Sequence, residues 1–91
     1  MTEVILDGKE IHNRAGLHAK LAAELHFPAW YGSNLDALYD CLTDIHEDTR
    51  LVLANLDELE ENLGDYAERL YRVLSRAEAD NPWLMLAGKR E

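Results

Sequence analysis

Two rhythms alternate along the apolar positions of this chain, short continuous runs and spacings of three to four. EVIL, Glu3 to Leu6, is a β-branched and aliphatic run halted by Asp7-Gly8, and it predicts a buried strand entering a turn. Leu17, Leu21 and Leu25 then recur every fourth residue. They predict a helix from Asn13 to His26, capped by Asn13, weakened in its first turn by Gly16 and shut off by Pro28. Leu35, Leu38 and Leu42 predict a second helix from Asn34 to Thr43, with Ser33 as its N-cap. RLVLAN, Arg50 to Asn55, is a continuous apolar run bounded by polar residues, the pattern of a strand covered on both faces at the centre of a sheet.

The same reading continues to the end of the chain. Asn55 is placed to cap a short helix whose Leu56, Leu59 and Leu63 turn inward and which Gly64 ends. Asp65 begins the longest helical pattern, with Tyr66, Leu70, Val73, Leu74 and Ala77 on one side. Asn81-Pro82 stops it, Trp83 to Ala87 reads as a last buried strand, and GKRE as a frayed tail. Strand, two helices, strand, two helices, strand, with no connection short enough for a hairpin, predicts an α/β fold. The expected architecture is a small three-stranded parallel sheet packed with about four helices, one domain over residues 1–91.

Composition sharpens this picture in two ways. Eighteen Asp and Glu against nine Lys and Arg give a net charge of -9, a field that repels nucleic acid and anionic membrane and draws in a basic protein. An acidic surface also serves plain solubility. The lone Cys41 forms no internal disulfide, and no basic-then-apolar leader or membrane-length run is present, so a cytoplasmic location is expected.

Candidate chemistry concentrates on the second helix. Asp36, Tyr39, Asp40 and Thr43 are spaced i, i+3, i+4 and i+7 and form a stripe roughly opposite the leucines. Asp36 sits in the first turn, where the helix dipole favours a carboxylate and where Ser33 could complete a capping box with it. Asp40 lies mid-helix, and two like charges at i, i+4 cost about 0.2 to 0.5 kcal/mol. Such a pair is either a solvated face or a recognition surface. Trp30, Tyr31 and Tyr39 add the large rigid aromatic area typical of interfaces, although core packing is the expected fate of one member of the Trp30-Tyr31 pair.

Other chemistries find little support. Paired catalytic carboxylates need a cleft between them and different pKa values. A hard cation needs more converging oxygens than Asp36, Asp40 and Asp44 along one helix face. The histidines His12, His18, His26 and His46 have no zinc-ligand spacing, Cys41 reads as a small buried hydrophobe, and Ser33 and Ser75 lie in no nucleophile motif. No catalytic residue, metal or cofactor is expected.

FPAWYGSNLDALYDCLTD, Phe27 to Asp44, resembles the signature of the barstar family, the intracellular inhibitors of barnase-type ribonucleases. The likeness extends to the Asp7-Gly8 turn, Gly16-Leu17-His18, the LVL strand and Ala67-Glu68 on the long helix. It implies the three-stranded parallel sheet already predicted, and an acidic helix and preceding loop that plug the active site of a basic ribonuclease. Asp40 would then stand in for a substrate phosphate among basic side chains. Asp36 would pair with a neighbouring arginine or histidine region, Trp30 would take the place of an interfacial tyrosine and Tyr39 that of a tryptophan. Asn34 and Thr43 match the motif, and Asp44 lies at an edge where the family's type member has glycine and an aromatic in place of Asp44-Ile45. A supporting glutamate of the family aligns with Arg76, a reversed charge, so that role is not carried over. The partner expected is therefore a basic ribonuclease, bound by a chain that is a monomer when free. The alternatives are a non-inhibitory interaction module of the same fold that binds another basic protein or toxin, and, more remotely, an acidic hydrolase using Asp36 and Asp40.

Overall fold

The computed structural model describes residues 1–88, so most of the expected GKRE tail, residues 89–91, lies outside the described residues. Its elements are β1 (Thr2–Asp7), α1 (Arg14–Leu25), α2 (Leu35–Thr43), β2 (Thr49–Ala54), α3 (Leu56–Leu63), α4 (Asp65–Asp80) and β3 (Leu84–Ala87). The three strands form one parallel sheet in the order β1-β2-β3, with Val4 beside Leu51 and Leu51 beside Leu86. This is the predicted α/β arrangement.

Strand alternation decides what the sheet buries. Val4, Leu6, Leu51, Leu53, Leu84 and Leu86 point to one face and are buried against Leu17, Leu21, Leu38, Leu42, Leu59, Leu70 and Leu74 of the helices. The opposite face carries Glu3, Ile5, Arg50 and Met85, all exposed. The expectation that β2 is covered on both faces is therefore corrected: Arg50 is exposed and Val52 only half-buried. A sheet crossed in one direction, β1 to β2 to β3, receives its right-handed connections on one side, which leaves the other open.

Local chemistry sets the joints. Gly8 follows β1 where a Cβ would lie 2.1 Å from the Asn55 carbonyl oxygen, so the turn fits only glycine. Asn13 caps α1 as expected, its Oδ1 accepting from the Gly16 amide at 2.7 Å. Asn55 does not cap α3 with its side chain. Its backbone is left-handed (φ 52°) and its amide instead donates to Asp7 Oδ1 at 2.7 Å, tying the ends of β1 and β2. Asp7, which also accepts from the Lys9 amide, is held below the usual carboxylate range chiefly by the Asn55 bond. Gly64, with φ 60°, turns α3 directly into α4.

Candidate partner-binding site

α2 owes its position to both of its ends. Ser33, expected as the N-cap, has a left-handed backbone (φ 53°) and lies one residue too early, so the Ser33–Asp36 capping box does not form. The cap is Asn34, extended at φ -138°, with Oδ1 accepting from the Ala37 amide at 2.8 Å. Asp36 consequently occupies the first turn, where the macrodipole favours it. At the other end, buried Asn81 donates from one amide nitrogen to the carbonyls of Leu42 (2.8 Å) and Ile45 (3.1 Å). That bond pair answers carbonyls a helix end leaves open, and locks α2 to the end of α4.

The two sides of α2 separate as the sequence predicts except at Leu35, which is half-buried and borders the acidic side. Leu38 and Leu42 are wholly buried, whereas Asp36 and Asp40 are exposed. Among the described residues neither carboxylate has a hydrogen-bond or ion-pair partner. Tyr39 lies between them, half-buried. Its hydroxyl donates to an Asp80 carboxylate oxygen, and the Arg76 guanidinium carbon lies 5.4 Å from its ring centre. That bond to Asp80, with burial and the Asp80 charge behind it, raises the Tyr39 pKa. Leu35, Asp36, Tyr39, Asp40, Val73 and Arg76 line an open cleft of about 240 Å³ between α2 and α4. Thr43 directs its hydroxyl back to the carbonyls of Tyr39 (2.9 Å) and Asp40 (3.1 Å), so its proton is used within the helix and only lone pairs are left for a partner.

Trp30 and Asp44 stand apart from this cleft. Both line a second crevice, of about 280 Å³, together with Leu25, Phe27, Cys41 and Ile45. Trp30 is 81% exposed, the largest unburied ring of the chain, while Tyr31 beside it is half-buried and packs its ring 4.8 Å from that of Phe27. One aromatic of the pair packs against the core and the other stands at the surface. Cys41, expected as a small buried hydrophobe, is only half-buried in the crevice wall; burial first, then the charges of Asp44 and Asp40, push its thiol pKa up. A thiol held protonated in this way is a poor nucleophile.

Three arrangements at the site follow from packing that residue order does not display. Arg76 enters the acidic cleft, and Asp80 fixes Tyr39; both follow from α4 packing along α2, with Val73, Arg76 and Asp80 at helical spacing on the facing side. Glu78, the acidic neighbour of Arg76, faces elsewhere: its Oε2 accepts from the Leu86 amide at 2.8 Å and serves β3. The third is His18, buried between two tyrosine hydroxyls. Among the described residues no group of three or more His, Cys, Asp or Glu side chains is arranged to hold a metal ion, and no helix is long and apolar enough to cross a membrane.

Comparison with known proteins adds two findings. Residues 1–87 match the family model described as Barstar (barnase inhibitor). Over 81 residues the chain is 40% identical to the Bacillus subtilis (strain 168) protein named "Putative ribonuclease inhibitor YrdF", covering 88% of this chain and 89% of that one.

Proposed function

The chain belongs to the barstar family, and from that premise we propose that it is a cytoplasmic ribonuclease inhibitor, not a catalyst, that occludes the active site of a basic, barnase-type enzyme. The observation that carries this reading is the pair Asp36 and Asp40. They are exposed on a helix whose other side is locked into the core, and among the described residues no cation forms an ion pair with them. A cleft that binds RNA phosphates presents fixed positive charge, and a carboxylate held at a rigid position replaces a phosphate oxygen there with charge-assisted hydrogen bonds. Asp40 takes the central place and Asp36 flanks it. Tyr39, with its hydroxyl tethered to Asp80, offers its ring rather than its polar end. Trp30, Asn34, Thr43 and Asp44 complete the contact surface around them.

The charge of -9 contributes at longer range. Opposite net charges raise the association rate, and the gain shrinks as added salt shortens the Debye length from about 10 Å at 0.1 M. Arg76 in the cleft balances part of the acidic field at the α4 side, so the target differs there from one that needs an uninterrupted negative rim. Titration of a purified barnase-type ribonuclease with this chain tests the proposal. Activity is expected to fall in proportion to added chain and vanish at one equivalent. Undiminished activity at large excess, with the nuclease active and the chain folded, would sink it.

A further inference from the structure

Trp30 carries little packing of its own, so something else must hold the loop that presents it. The backbone between α1 and α2 passes two left-handed residues, His26 (φ 58°) and Ser33 (φ 53°), a course that local preference alone does not favour. Its inward anchor is Tyr31, whose hydroxyl lies 2.6 Å from His18 Nδ1. The other ring nitrogen, Nε2, lies 2.7 Å from the hydroxyl of Tyr66 on α4. His18 is only 1% exposed, so no water competes for either nitrogen. A neutral imidazole has one N–H donor and one bare acceptor nitrogen, and two tyrosine hydroxyls, each both donor and acceptor, satisfy the two together. The Tyr66 ring is itself pinned beneath Arg14, 4.4 Å away, and Arg69, 5.4 Å away. The result is a relay from α4 through α1 to the loop.

We infer that His18 is a positioning residue for partner binding: by bridging Tyr66 to Tyr31 it fixes the loop that presents Trp30 and delivers Asn34 to cap the acidic helix. The binding half of this inference rests on the inhibitor reading above; the ordering of the loop does not. His18 touches no partner and acts through Tyr31. A leucine at position 18 would fill the space but offer neither bond, and phenylalanine at position 31 would remove one bond and keep the ring. Glutamine at position 18 keeps a donor and an acceptor and is the conservative control.

The test reads amide hydrogen exchange of residues 29–34, and Trp30 fluorescence anisotropy in a Trp83→Phe background, for His18→Leu, His18→Gln and Tyr31→Phe. Tyr31→Phe, which loses one buried hydrogen bond, should speed exchange in the loop roughly tenfold and lower Trp30 anisotropy, and His18→Leu, which loses both, should do so at least as much, with β1 and the α2 leucines unchanged. His18→Gln should restore native values. Dissociation from a barnase-type ribonuclease should quicken by a similar factor for Tyr31→Phe and return to normal with His18→Gln. Loop exchange at the native rate in Tyr31→Phe would overturn the inference, as would equal loosening of the whole fold in His18→Leu and His18→Gln. If His18→Leu fails to fold, Tyr31→Phe decides alone. Should the unmodified chain leave the nuclease active, the inhibitor reading fails while exchange still judges the loop. Should it inhibit and Tyr31→Phe release it no faster, the positioning role fails by itself.

Discussion

On one side of α2, Leu38 and Leu42 have no exposure and are surrounded by the sheet and α4; on the other, Asp36 and Asp40 stand in solvent one turn apart with no partner of opposite charge among the described residues. Burial makes the first side indispensable to folding and silent toward a partner. Repulsion makes the second side slightly unfavourable in the free protein, and it becomes favourable only when a cationic surface arrives. On the proposed inhibitor reading, the difference assigns stability and recognition to opposite sides of nine residues, so mutations on the two sides should separate cleanly in their effects.

The largest expected separation is Asp40→Ala. Taking one member from a charge pair buried on binding costs about 3 to 5 kcal/mol, roughly two to four orders of magnitude in Kd for the ribonuclease. Thermal stability should hold or rise slightly, because a like-charge repulsion of about 0.2 to 0.5 kcal/mol disappears and alanine is the better helix former. Calorimetry with the nuclease, beside thermal unfolding of the free chain, measures both. Comparable losses in the two would place Asp40 in the scaffold. Leu38→Ala mirrors it: a stability loss of about 2 to 5 kcal/mol in denaturant melts, with unaltered affinity in the fraction that remains folded. A loss under about 1 kcal/mol there would contradict the assignment of the buried side.

Much of this contrast is legible in residue order. The leucine spacing identifies α2 and its buried side, and the spacing of Asp36, Tyr39 and Asp40 identifies the exposed one. His18 itself lies on the leucine stripe of α1, three residues before Leu21, so its burial had a signal while its tyrosine partners, 13 and 48 residues away, had none. Ser33 and Asn55 fail to supply the expected side-chain caps for one reason, although Asn55 does precede α3 as expected. Residue type shows which side chains can cap, but capping also needs an extended backbone, and both residues are left-handed here. Arg76 reads from the sequence as a reversed charge on the long helix, but only the packing of α4 on α2 places it beside Asp36 and Asp40.

A third test extends the comparison from α2 to the loop before it. Burial pushes the His18 pKa below its ordinary value, so on acidification the unfolded chain takes up a proton at this residue before the folded one does. Stability due to neutral His18 is complete above the unfolded pKa, about 6.5, and declines as pH falls from there toward the lower folded value. The slope from this single site cannot exceed about 1.4 kcal/mol per pH unit. Denaturant midpoints between pH 7.5 and 5 should therefore fall more steeply in the natural chain than in His18→Gln, which has nothing to titrate there. Parallel curves would show that the histidine is not what senses the acid.

The smallest effect, and the one that falls on both sides of the comparison, belongs to Asn34. Its side-chain Oδ1 accepts from the Ala37 amide, so Asn34→Ala should cost about 1 kcal/mol of stability, within the usual range of about 0.5 to 2 for a lost cap. Fraying of the first turn also displaces Asp36, which lies in it, so ribonuclease affinity should drop by a comparable amount rather than stay level as with Leu38→Ala. Ser33→Ala, one residue earlier, removes no capping bond and should leave both quantities within a few tenths of a kcal/mol. If Ser33→Ala instead proved the more damaging, the helix would begin a residue earlier, Asp36 would return to a capping box, and the acidic side of α2 would share in folding after all.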